Sequence, residues 1–76
     1  MRQISVMLHT INDVKEFVST VSLVDYDVDL ISGRYAVDAK SIIGIFSLDL
    51  GKPLKVNIYS EDCDDLLEKI NKFAEL

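Results

Sequence analysis

From Arg2 to Leu8 apolar and polar side chains alternate, Ile4, Val6 and Leu8 on one side and Gln3, Ser5 and Met7 on the other. That period predicts a strand buried on one face. At residue 10 the period changes. Ile11, Val14, Phe17, Val18 and Val21 fall on one stripe of a helix over 11–21, with Thr10 or Asn12 as its N-cap. Asp13 and Glu16 place negative charge in the first turn, where the helix dipole favours it. Two more alternating runs, Asp25 to Ile31 and Arg34 to Ala39, flank Ser32-Gly33. They predict a hairpin whose glycine supplies the positive φ of a tight turn.

Ile42, Ile43, Ile45 and Phe46 crowd around Gly44, too apolar for a loop, and predict one short helix capped by Ser41. After Gly51-Lys52-Pro53, Leu54, Val56 and Ile58 alternate with Lys55, Asn57 and Tyr59 as a fourth strand. Acids Glu61, Asp62, Asp64 and Asp65 then open a final helix with the stripe Leu66, Leu67, Ile70, Phe73 and Ala74. The element order is βαββαβα. Its natural packing is an α+β, two-layer arrangement: a four-stranded antiparallel sheet with one wet face and helices packed on the other.

With 76 residues, 49% of them apolar, the chain has one core and is expected to be a single domain over 1–76. So small a body leaves little room for an enclosed pocket, which excludes most enzymes and moves function to the surface. The formal net charge of −5 repels nucleic acid and anionic lipid. One cysteine, Cys63, and one histidine, His9, provide neither a disulfide nor a metal-ligand set. No cofactor is expected. No apolar run approaches the roughly 20 residues of a membrane span. The N-terminal residues lack the pattern of a signal peptide, so a cytoplasmic location is expected.

Asp25-Tyr26-Asp27-Val28-Asp29 opens like a calcium loop, but Leu30 and Ala36 stand where that loop needs glycine and glutamate. Alternating acids on an exposed strand explain the run better. No glycine-rich phosphate loop is present.

The element order, together with Ala39-Lys40-Ser41-Ile42-Ile43-Gly44-Ile45-Phe46-Ser47-Leu48, resembles the HPr family, phosphocarriers of the bacterial sugar phosphotransferase system. The resemblance implies an open-faced βαββαβα sandwich. It further implies a phosphoryl-accepting histidine at the start of the first helix and a regulatory serine, matched by Ser41, at the cap of the short second helix. Ile42, Ile43 and Phe46 then correspond to an exposed apolar docking patch. The implied partners are enzyme I, sugar-specific enzyme II components, HPr kinase and the catabolite control protein. A phosphate of about −2 charge on a helix N-cap lies beside free backbone N–H groups, so modification there need not break the fold. At least one of Ile42, Ile43 and Phe46 must be exposed, because a short helix has only one inner face.

Leu8-His9-Thr10 matches the family pattern Leu-His-Thr-Arg-Pro-Ala, which makes His9 the candidate phosphoryl acceptor; Ile11-Asn12-Asp13 then replaces the rest. Anchored on Phe17-Val18 and Ser41, however, the register puts Thr10 at the histidine's place and His9 one residue early. The arginine that would neutralise phosphoryl oxygens is missing. Asp13 adds a like charge, which Lys15 offsets only in part. Two functions follow: a phosphocarrier or regulatory partner of the phosphotransferase system, or an adaptor on the same fold that transfers no phosphate. Whether His9 or Thr10 meets the helix's N-terminal amides separates them.

Overall fold

The computed structural model describes residues 1–74. Strands β1 (Arg2–Val6), β2 (Val28–Ser32), β3 (Tyr35–Asp38) and β4 (Leu54–Ile58) alternate with helices α1 (Ile11–Val21), α2 (Ile42–Phe46) and α3 (Asp64–Ile70); a 3-10 turn, Asn71–Phe73, follows. The sheet runs β1-β4-β2-β3, and every neighbouring pair is antiparallel. Its register sets Val56 opposite both Ile4 and Leu30, and Ile58 opposite Val28. The apolar partners therefore share one face. Gln3, Asn57 and Asp29 line up on the other, where the Gln3 amide donates to Asn57 Oδ1 at 2.7 Å.

All three helices cover the apolar face. Val14, Phe17 and Val21 from α1, Ile45 from α2, and Leu66 and Ile70 from α3 are buried together with Val6, Val28, Leu30, Leu54, Val56 and Ile58. Phe17 meets Phe73 edge to face, with centroids 5.8 Å apart and planes at 75°, a favoured aromatic geometry. Among the described residues no polar or charged side chain is buried. Among the described residues no helix is long and apolar enough to cross a membrane.

Several element boundaries differ from the sequence expectation for identifiable reasons. β1 ends at Val6, not Leu8, because the Met7 N–H turns away to the Phe73 carbonyl at 2.8 Å and Val6 bridges Ala74. Leu8 stays fully buried without being strand. The first hairpin arm begins at Val28; Asp25 to Asp27 lead in, although the Tyr59 N–H still reaches the Asp27 carbonyl at 3.0 Å. The second arm stops at Asp38, where Ala39 donates back to Val28 at 2.8 Å. Ala74 belongs to the bridge with Val6 and not to the last helix. Gly33 turns at φ +59 as the hairpin requires.

Candidate functional site

Thr10 is the N-cap of α1, in extended backbone at φ −129 and ψ 165. Its Oγ1 accepts the Asp13 N–H at 3.0 Å. Asp13 Oδ2 reaches back and accepts the His9 N–H at 2.9 Å and the Thr10 N–H at 3.3 Å. Thr-Ile-Asn-Asp is therefore a reciprocal capping box with aspartate in the usual glutamate position. The His9 N–H holds the Asp13 carboxyl below the usual aspartate value, with further help from the Thr10 N–H and hydroxyl; partial burial opposes them. The His9 ring is exposed and makes no hydrogen bond among the described residues.

This cap makes its own pH dependence. A carboxyl whose value is lowered on folding stabilises the fold above its unfolded value, near pH 4, and that contribution is lost as pH falls through the folded value. The urea-midpoint difference between the wild type and Asp13→Ala should be present at pH 7 and shrink towards pH 3. A difference that stays constant would refute the box as the source. Thr10→Ala should cost about 1 kcal/mol at pH 7.

The second helix start is Ser41, at φ −104 and ψ 103, whose Oγ accepts the Gly44 N–H at 3.2 Å. The hydroxyl is exposed. Gly44 keeps space beside it, since a Cβ there would lie 3.3 Å from Ser41 Oγ and 3.4 Å from Val37 Cβ. Lys40 does not face this hydroxyl as a counter-ion; its ammonium donates to the Val24 carbonyl at 2.8 Å. The apolar run divides as its geometry demands. Ile45 is buried, Ile42 is half-buried, and Ile43 and Phe46 are 82% and 43% exposed.

Ile11 is a correction. The apolar stripe of α1 includes it, yet it is 63% exposed, and burial along that stripe begins at Val14. Helices α1 and α2 pack against each other, and exposed Ile11 belongs to the first, exposed Ile43 and Phe46 to the second. Asp13, which the sequence offers as a first-turn acid and as a like charge beside a phosphorylated imidazole, is in addition half of the cap. The Thr-x-x-Asp spacing was its signal. Among the described residues no three His, Cys, Asp or Glu side chains are arranged to hold a metal ion.

Residues 10–75 match the family model described as the PTS HPr component phosphorylation site. Among solved structures, HPr-C-His from Thermoanaerobacter tengcongensis superposes with a TM-score of 0.79 at 22% identity, over 95% of this chain and 89% of that one. The phosphocarrier protein HPr from Bacillus anthracis gives 0.77 at 22% identity over 97% and 96%. The histidine-containing phosphocarrier protein of Mycoplasma gives 0.76 at 15% over 93% and 89%. These likenesses establish the open-faced sandwich. No curated protein matches the sequence.

Proposed function

The chain belongs to the HPr family of the phosphotransferase system, and we propose that it acts there as a regulatory partner that carries no phosphohistidine. Members of the family are phosphocarriers, not enzymes. The observation that carries the proposal is the capping box. A phosphoryl group on an imidazole at this helix start needs the local N–H groups and a nearby cation. Here the His9 and Thr10 N–H groups are held by the Asp13 carboxylate, and Thr10 Oγ1 holds the Asp13 N–H. Threonine stands where the register calls for histidine. A phosphoryl dianion on His9 would face the ionised Asp13 carboxylate without an arginine to offset it.

Regulation is assigned to Ser41. Transfer of the γ-phosphoryl of ATP to Ser41 Oγ, with loss of the hydroxyl proton and release of ADP, would set a dianion at the start of α2. Exposed Ile43 and Phe46 lie on that helix, so the new charge would stand beside the apolar docking patch and change which partner it accepts. HPr kinase would be the modifying partner and the catabolite control protein the reader of the modified form. Enzyme I and the sugar-specific enzyme II components would dock without delivering phosphate. The protein's place would be the cytoplasm.

Two incubations test this reading. Enzyme I with labelled phosphoenolpyruvate should leave the protein unlabelled; an acid-labile adduct that disappears in His9→Ala would overturn it. HPr kinase with labelled ATP should give an acid-stable phosphoserine that Ser41→Ala abolishes. Label retained in that variant, or none in the wild type, would remove Ser41 as the regulatory site.

A further inference from the structure

Gly33 and Arg34 form the turn between β2 and β3, and with Ser32, Tyr35, Ser47, Leu48, Asp49 and Lys52 they line a cavity of about 390 Å³ open to solvent. Its volume lies within the range of small-molecule sites, roughly 300 to 1,000 Å³. The positive φ of Gly33 folds the hairpin back tightly, and a Cβ on that residue would meet nothing within 4 Å. The space before the turn is empty.

In a chain of net charge −5, two cations from distant parts of the sequence, Arg34 and Lys52, line this one cavity. Arg34 forms no ion pair among the described residues, and Lys52 Nζ lies 3.8 Å from Asp49 Oδ2, with both side chains largely exposed. Such a contact leaves the ammonium available. Asp49 Oδ1 accepts the Gly51 N–H at 3.1 Å, which fixes the carboxylate at the rim. Tyr35 is 72% exposed, and half-buried Ser32, its partner across the hairpin, lines the cavity with it.

We infer that this cavity binds a phosphomonoester of a hydroxyl-bearing ring, as found in a sugar phosphate or in the ribose phosphate of a nucleotide. A bare anion would be opposed by Asp49. A neutral polyol would have no use for two cations. A ligand with phosphate at one end and hydroxyls at the other matches both sets of groups. The planar Arg34 guanidinium can grip two phosphate oxygens and Lys52 a third. Ligand hydroxyls can donate to the Asp49 carboxylate and accept from Ser32, and the ring can lie against the face of Tyr35. An open site of this kind binds weakly, in the millimolar range. The inference is independent of how Thr10 and Ser41 are used.

Amide shifts of the whole isotope-labelled protein, followed by NMR, test it with three probes: ribose 5-phosphate, adenosine monophosphate and inorganic phosphate. Ribose 5-phosphate should give saturable shifts at residues 32–35 and 47–52. Arg34→Ala with Lys52→Ala should weaken them roughly tenfold or more, while shifts of core amides stay as in the wild type. Tyr35→Ala should remove most of the preference for ribose 5-phosphate over inorganic phosphate. Adenosine monophosphate binding more tightly at the same amides would assign the nucleotide source, and weaker binding the sugar. Inorganic phosphate saturating with an equal midpoint, shifts centred elsewhere, or no saturation would overturn the inference.

Discussion

On the proposed docking of HPr kinase to α2, Ile43→Asp is expected to weaken kinase binding by roughly thirtyfold or more, about 2 kcal/mol, and to leave the thermal unfolding curve where it was. Ile43 is 82% exposed at the surface of α2, so a carboxylate there enters water in the free protein and costs the fold little. In a complex the same carboxylate would be buried against an apolar surface without a partner. Ile45, two residues on, supplies the contrast. It is fully buried, and Ile45→Asp should unfold the protein outright. Lys55→Asp, on the far face of β4, should change neither quantity. Calorimetric binding beside thermal melts for the three variants reads both at once. Undiminished kinase binding by Ile43→Asp would remove the docking patch from α2.

The division between these two isoleucines also shows what was legible in the residues. A five-residue helix has one inner face, so exposure of some part of Ile42, Ile43 and Phe46 follows from the pattern. Which side chain turns inward depends on the angle at which α2 meets β3 and α1, and that angle is set by contacts distant in sequence. The same holds for strand ends. Alternation in Ile4, Val6 and Leu8 runs unbroken, yet the ladder stops at Val6 because Phe73 and Ala74 come back to it from the other end of the chain. Helix α1, by contrast, is local: its stripe and its cap lie within a dozen residues, and it spans Ile11–Val21 as expected.

At the site, the resemblance pointed to Ser41 through its neighbours, and Ser41 is an exposed cap whose hydroxyl engages the backbone of α2. The start of α1 was harder, because two physical effects of one residue compete there. Asp13 read as a charge predicts repulsion of phosphate. Read as a hydrogen-bond acceptor three residues after a threonine, it predicts a closed cap. Both effects act in the same direction, against a phosphorylated imidazole, and the second also accounts for why Thr10 rather than Asn12 begins the helix. Periodicity sets Ile11 on the apolar stripe although it is exposed, because helical spacing carries no information on where burial along the stripe begins.

Phe17→Ala is expected to remove about 3–5 kcal/mol of stability, a large share of what a chain of this length possesses. At roughly 0.05–0.15 kcal/mol per residue, a domain of 76 residues holds on the order of 4–11 kcal/mol. Phe17 is fully buried and packs edge to face on Phe73. Phe73 in turn supplies the carbonyl that takes the Met7 N–H just after β1, so loss of the Phe17 ring weakens both the seat of α1 and the return of the chain to the sheet. Phe17→Leu keeps most of the volume and should cost less than about 1.5 kcal/mol. Urea unfolding measures the three proteins on one scale. A midpoint for Phe17→Ala close to that of Phe17→Leu would show that the aromatic pair is not what anchors α1. Where Phe17→Ala does unfold the chain, kinase binding should vanish with the fold. Ile43→Asp, which loses binding while folded, is therefore the variant that separates the docking surface from the core beneath it.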